Sequence, residues 1–255
     1  MINSRQLQIV QLVNDRGTVS VSELAQLTRV SEVTVRQDLT TLARNSYIKR
    51  AHGFAHSVGQ DDVGTRMQTR FTLKKALAGY AASLVSEGET VFIEGGSTNA
   101  LLARALADNE TLTLVTVSHY IAGLLKEARC EVIILGGLYQ KGSESVVGPL
   151  TRACVQQIHF QKAFIGVDGW HADTGFTGKN MLRCDTINAV MDKGIETIAL
   201  TDSSKFGQIH PYPLALNHQF QHVVTDTGIK PEHRVSLEKQ AVKVHLVSDA
   251  SLKRV

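Results

Sequence analysis

Three short stretches of this 255-residue chain hold residues whose types and spacing suit them to binding small anionic molecules. In "IEGGSTNALLA" (93–103), Gly95 and Gly96 permit a tight turn, and Ser97, Thr98 and Asn99 open a helix. Backbone N–H groups, two hydroxyls and a helix N-terminus form a cradle suited to a phosphate, although turn and cap alone also account for the pattern. The stretch is neither GxGxxG nor a Walker sequence, so neither a dinucleotide nor a nucleoside triphosphate is indicated. In "IGVDGWHADTGFTGKN" (165–180), Asp168 sits between an apolar run and Gly169, where a carboxylate either accepts bonds from ligand hydroxyls or holds a turn. In "LTDSSKFG" (200–207), Lys205 is a partner for a phosphate or sugar oxygen, or an ordinary surface lysine. Together, a phosphate cradle, a hydroxyl-binding acid and a cation describe a pocket for a phosphorylated sugar or polyol.

A fourth stretch points to a different ligand. In "SEVTVRQDL" (31–39), Val35 and Leu39 lie one helical turn apart, and Leu42 continues their stripe. At about 100° per residue that stripe faces the interior. Gln37, Thr41 and Arg44 then project from the opposite side, with Thr34 and Arg36 flanking them. Such a face is either plainly solvated or placed in a DNA major groove. In a groove, Thr34 and Gln37 at the helix's start reach base edges, while Arg36 and Arg44 hold phosphates. Ser31, the cap at its start, belongs to the same surface. Asp38 would be repelled by DNA and is expected to bond a neighbouring basic or amide group.

These side chains need elements to position them. "NSRQLQIVQLVNDRG" (3–17) has the apolar spacing of an amphipathic helix stopped by Gly17, and Ser20 with Glu23 has the capping-box spacing of a second helix reaching about Thr28. A third helix capped by Ser31 completes a helix-turn-helix. "SYIKRAHGFAH" (46–56) reads as a small β-wing, with Arg50 and His52 near the DNA backbone or, for His52 equally, resting on its own domain. Residues 58–72 read as a polar linker with a helical start near Arg66. From residue 73 on, seven apolar runs alternate with helical patterns, the signature of a mostly parallel, doubly covered sheet. The ligand residues follow directly after such runs, where open α/β sheets bind. The expected division is therefore 1–57, a winged helix-turn-helix; 58–72, a linker; and 73–255, a larger α/β domain.

The charge distribution agrees. Residues 1–56 hold seven Lys/Arg and four acids, leaving 20 of the chain's 27 cations and 20 of its 24 anions for residues 57–255. The positive excess thus sits where a polyanion is expected. Cys130, Cys154 and Cys184 are scattered and in no CxxC pair, which points to reduced packing thiols and against a zinc site or disulfides. Without a leader or a membrane-length apolar run, a soluble, cytoplasmic protein with no membrane association is expected.

The run from Arg5 through Ile9 and Val13 to "SEVTVRQDL", followed by "IKRAHGFA", resembles the N-terminal signature of the DeoR family of bacterial transcriptional regulators. The resemblance continues through "GG" (136–137), "SVVGP" (145–149), "KAFIGVDG" (162–169), "GFT" (175–177), "DSSKFG" (202–207) and "VVTD" (223–226). It implies a second domain similar in fold to ribose-5-phosphate isomerase, which senses a sugar phosphate or related metabolite. It assigns effector contacts to Gly96, Ser97, Thr98, Asp168 and Lys205, with Asn99 beside them. Three positions depart from the family pattern: Glu94 replaces the usual Asp, Val117 stands at the amide of a usual Thr-Asn pair, and Arg183 appears where many members carry Glu. An exposed helix-start arginine is the expected explanation of Arg183; facing the pocket instead, it points to an effector with an additional negative charge.

The favoured reading is a repressor of carbohydrate-metabolism genes that acts as a homo-oligomer (dimer or tetramer), needs no cofactor or metal and catalyses nothing. A sugar-phosphate isomerase carrying a DNA-binding module is the rival, with Asp168 and Lys205 as base and cation. A C-terminal domain serving only for oligomerisation is the third reading.

Overall fold

The structure is a computed structural model that describes residues 3–44, 47–57, 63–215 and 220–248. It divides into two compact units, Met1–Arg70 and Phe71–Val255.

In the first unit, α1 (Ser4–Arg16) leads through β1 (Thr18–Ser20) to α2 (Val21–Thr28) and α3 (Glu32–Arg44), then to a wing of β2 (Ile48–Ala51) and β3 (Phe54–Ser57). The complete capping box is on α1: Asn3 Oδ1 accepts from Gln6 N at 2.8 Å, and Gln6 Oε1 accepts from Asn3 N at 3.1 Å. For α2, Ser20 Oγ accepts from Glu23 N at 3.1 Å, the forward half of the expected box. Gly17 ends α1 at φ +75°, where a side chain would be strained. The strand Thr18–Ser20, which the sequence presents only as a break between helices, pairs antiparallel with β3 and extends the wing to three strands in the order β1-β3-β2. Ile9, Val10, Val13, Leu24, Val35, Leu39, Leu42 and Ile48 form the sealed core. Each such side chain contributes about 1.5–3 kcal/mol by leaving water. After the wing, α4 (Val63–Gln68) occupies part of the stretch expected as linker, and α5 (Phe71–Ala82) opens the second unit.

All seven apolar runs become strands of one parallel sheet: β4 (Thr90–Ile93), β5 (Thr113–Thr116), β6 (Glu131–Ile134), β9 (Lys162–Ile165), β12 (Glu196–Leu200), β14 (His222–Asp226) and β15 (Lys243–Val247). Their spatial order is β15-β14-β12-β9-β4-β5-β6. From β4 the chain winds outward through β5 and β6, then crosses back to lay β9 on the other side of β4. The topological switch point is therefore between β4 and β9. Connecting helices are α6 (Ser97–Leu106), α7 (His119–Leu124), α8 (Pro149–Gln157), α9 (Met181–Met191) and α10 (Pro231–Lys239). Two antiparallel pieces are additions to the expected plan: the hairpin β7 (Leu138–Gln140) with β8 (Ser145–Val147), and β10 (Gly169–His171) with β11 (Gly175–Gly178) and β13 (Tyr212–Pro213). Helix α8 is another addition, opened by Pro149 at its first turn. Helix α9 starts four residues before the helical pattern at Asp185, because Asn180 Oδ1 caps it by accepting from Arg183 N at 3.0 Å.

Candidate functional site: a DNA-reading face and an effector crevice

The outer side of α3 carries Glu32, Val33, Arg36, Gln37, Thr40 and Arg44 exposed, with Thr34 and Thr41 half-buried. Val35, Leu39 and Leu42 on the inner side are fully sealed. Ser31 Oγ caps the helix by accepting from Thr34 N at 3.2 Å and lies 2.9 Å from Thr34 Oγ1, so the first turn is held in one geometry. Arg36 donates to Glu32 one turn back at 2.8 Å. An exposed i,i+4 pair of this kind is worth about 0.3–0.5 kcal/mol, so a phosphate readily competes for the guanidinium. Arg50 of the wing donates to Thr40 Oγ1 at 2.8 Å, tying β2 to the helix. His52, at φ +30° with Gly53 at +83°, forms the exposed wing tip.

Asp38 faces inward as expected and takes both kinds of partner. Its carboxylate accepts from Arg5 Nε at 2.6 Å and from Gln6 Nε2 at 2.8 Å. The Asp38 hydrogen bond and charge raise the Arg5 pKa above its ordinary value. Two residues of the outer face escaped the sequence reading. Val33, 63% exposed, presents an apolar group suited to a thymine methyl, and its position about 160° from the apolar stripe was the available signal. Thr40 lies about 140° from Val35 by the same count and so carried the same signal, and the structure shows it bonded to Arg50 of the wing.

In the second unit, Glu94, Gly95 and Gly96 follow β4, and Gly166, Val167 and Asp168 follow β9, on either side of the switch point. Gly96 caps α6 at φ +111° with no side-chain bond to the helix's first N–H groups. Ser97 is buried and Thr98 half-buried at this turn. The amides of the first turn lack partners within the helix, as at any helix start. Asn99 is buried, and its Nδ2 donates to Gly95 O and Phe164 O, both at 3.3 Å, bridging the ends of β4 and β9. Its geometry is that of a strap across the sheet. Lys205 closes the 3₁₀ turn Ser203–Lys205, which Asp202 caps by accepting from Ser204 N at 3.0 Å. The segment beyond it packs on the Asp168 turn, with Gly207 N donating to Trp170 O at 2.7 Å and the His210 ring 3.1 Å from Asp168 O.

Arg183 corrects the sequence expectation. Far from being an exposed helix-start residue, it reaches back from the first turn of α9 into the crevice, its side chain 21% exposed. Nε donates to Glu94 Oε1 at 2.8 Å, Nη2 to Glu94 Oε2 at 3.1 Å and to Gly166 O at 2.6 Å, and Nη1 to Asp168 Oδ2 at 2.8 Å. Glu94 Oε2 also accepts from Gly166 N at 3.2 Å, and Asp168 Oδ2 from Lys179 N at 3.0 Å. Burial lowers the pKa of this guanidinium, but the charge and hydrogen bond of Glu94 and the charge of Asp168 outweigh it and leave the pKa raised. Next to it, burial pushes the Cys184 thiol up to about 11, so it stays protonated and inert. Gly178 makes room for this arrangement, since a Cβ there would lie 2.4 Å from Cys184 Sγ. Asp185, the nearest acid on the same helix, pairs with Arg152 at 2.8 Å. Among the described residues, no group of three or more His, Cys, Asp or Glu could hold a metal ion, and no helix is long and apolar enough to cross a membrane.

The first unit is a sealed three-helix core with polar and basic side chains outward, and the second is an open parallel sheet with a topological switch point between β4 and β9. Family models locate both parts: a DeoR-like helix-turn-helix domain matches residues 5–61, and a DeoR C terminal sensor domain matches residues 70–227. The chain belongs to the DeoR family of transcriptional regulators. It is 31% identical to the uncharacterized HTH-type transcriptional regulator YulB of Bacillus subtilis, over 97% of each chain. It is 28% identical to a putative aga operon transcriptional repressor of Escherichia coli O157:H7, covering 97% of this chain and 94% of the relative. The lactose phosphotransferase system repressor of Streptococcus mutans is 31% identical over 79% of this chain and 82% of its own. These relatives are named regulators, not enzymes. Among solved structures, ribose 5-phosphate isomerase A of Methanocaldococcus jannaschii matches 54% of this chain and 55% of its own, at 20% identity and a TM-score of 0.37. A similarity at that level bears on neither activity nor ligand.

Proposed function

We propose that the protein represses carbohydrate-metabolism genes, with its operator affinity set by a sugar-phosphate-type effector bound at the switch-point crevice. The observation that carries the DNA half is the α3 surface: Arg36, Gln37 and Arg44 stand outward on a helix whose other side is sealed. The effector half is supported by the side-chain-free N-terminus of α6 at Gly96, a ready phosphate site at the switch point, and by the names of the aga and lactose relatives. Ser31, Thr34, Arg36, Gln37, Thr41, Arg44, Arg50 and His52 form the operator surface. Gly96, Ser97, Thr98, Asp168 and Lys205 surround the effector, with Asn99 holding the turn. The isomerase reading is disfavoured because the relatives named above are regulators rather than enzymes.

One helix-turn-helix reads one half-site, so the protein acts as a homo-oligomer on repeated half-sites. Effector binding lowers operator affinity only as far as the effector prefers the DNA-free state. The test uses operator DNA selected from random sequence. Arg36→Ala is expected to lower operator affinity about tenfold or more and to reduce the salt slope by about one, with effector binding unchanged. Full operator retention at physiological salt refutes the DNA assignment. A panel of sugar and polyol phosphates, none of which raises the melting temperature or releases DNA, refutes the effector assignment.

A further inference from the structure

This inference rests on the DNA-contact reading of α3 and names the chemical group that the helix reads. At about 100° per residue, Val33, Gln37, Thr40 and Arg44 form one stripe opposite Val35, Leu39 and Leu42, while Thr34 lies about 90° to its side. Hydrogen bonds then sort these side chains. The Thr40 hydroxyl donates to Arg36 O at 2.7 Å and accepts from Arg50 of the wing at 2.8 Å, so it is already engaged. Thr34 is half-buried, and its hydroxyl lies 2.9 Å from that of Ser31 in the cap. Arg36 is paired with Glu32 on the flank, and Arg44 stands in the last turn, far from the end that enters a groove. Val33 and Gln37 remain, one turn apart and both exposed, and among the described residues the Gln37 amide makes no hydrogen bond.

Val33 is the informative member of this pair. Its isopropyl group is 63% exposed and offers nothing to a phosphate. In a helix, β-branching holds its two methyl groups in one preferred rotamer, so the group is presented in a fixed direction. The exposed cations on the same surface, Arg36, Arg44, Lys49 and Arg50, match a polyanion, so the surface that covers Val33 is duplex DNA. On the floor of the major groove the apolar group is the C5 methyl of thymine. The amines of cytosine and adenine are donors, and an isopropyl group laid over them removes their water without replacing its hydrogen bond. Val33 is thus matched to thymine and penalises cytosine in the same place.

We propose that Val33, rather than Thr34, is the base-reading partner of Gln37, and that it reads the C5 methyl group of one thymine in each operator half-site. Gln37 takes an adenine through its amide, which both donates and accepts. One helical turn advances about 5.4 Å and one base pair about 3.4 Å, so that adenine lies within about two base pairs of the thymine.

The test uses operator DNA selected from random sequence with the full-length protein. Each thymine is replaced in turn by deoxyuridine, which removes the methyl group and keeps every hydrogen-bonding group. At one thymine per half-site the wild type is expected to lose about fourfold in affinity, the effect of one buried methyl group. Val33→Ala, which keeps α3 because alanine is the better helix former, is expected to bind the thymine and uracil operators alike. Arg36→Ala is expected to weaken both operators equally and to leave their ratio at about four. An undiminished ratio in Val33→Ala overturns the proposal, and loss of the ratio in Thr34→Ala alone returns the reading to Thr34. A wild type indifferent to every thymine methyl group also overturns it, and leaves the DNA assignment standing because the operator is still bound. If selection enriches no sequence at all, the DNA assignment falls and the proposal with it.

Discussion

The two units use arginine in opposite ways. On the DNA-binding unit, Arg36, Arg44 and Arg50 lie on the surface, held at most by a single exposed carboxylate or hydroxyl. In the sensor domain, Arg183 is turned inward and makes four hydrogen bonds to two carboxylates and a carbonyl. The first set is worth little to folding and is available to phosphates, because water already solvates each charge in the free protein. The second is a commitment of the fold, since removing it strands charge in a region water hardly reaches. The same side chain is thus a contact in one place and a structural counter-ion in the other, and burial decides which.

Stability measurements give the largest expected contrast. Arg183→Ala is predicted to destabilise the sensor domain by about 3–5 kcal/mol, the range for breaking a buried pair, and Arg183→Ala with Glu94→Gln to recover part of it. Arg36→Ala is predicted to change stability by no more than about 0.5 kcal/mol. Denaturant unfolding of the three variants checks this, and equal losses for Arg36 and Arg183 would erase the distinction between the units. The next effect is on reading. Gln37→Ala is predicted to cost about 1–3 kcal/mol of discrimination at one operator base pair, leaving the others unaltered. Selection of preferred sequences with wild type and variant decides it; a uniform loss across all positions would make Gln37 a backbone contact.

The smallest effect concerns acid. Behind the sheet, the His245 ring bonds Tyr80 Oη at 2.8 Å and His222 Nδ1 at 2.9 Å, and His222 lies 3.4 Å from Glu196. Burial lowers the His222 pKa, with Glu196 opposing and Lys243 and Lys162 assisting. Burial, the neighbouring His222 and Lys243 lower that of His245. Below the ordinary histidine value of about 6.5 the unfolded chain binds protons that the folded one refuses, so stability is full above that value and declines as pH falls through it. The melting temperature is expected to drop between about pH 7 and pH 5, and His245→Gln to flatten the slope. An unchanged slope in that variant assigns the acid sensitivity elsewhere.

Local pattern carried a great deal. The three-residue and four-residue spacings of Val35, Leu39 and Leu42 are enough to orient α3, because a helix has one period and one buried side. The inward turn of Asp38 also followed from charge alone, and seven apolar runs marked seven parallel strands, because strands covered on both faces have no polar alternation to hide them. The wing strand Thr18–Ser20 was harder, since three residues give no period; helix α8 went unread although its apolar spacing is as regular as that of α3.

What the chain determined by itself was therefore the class of each element and which helix side is outward, both set by neighbours within a few residues. Only the tertiary structure decided the fate of Arg183. Its partners Glu94 and Asp168 lie 89 and 15 positions away, and they meet because the chain crosses back over β4 to place β9 at its side. A long side chain has about the same local preference whether it ends in water or between two carboxylates. The sheet crossing, many residues removed, makes the choice.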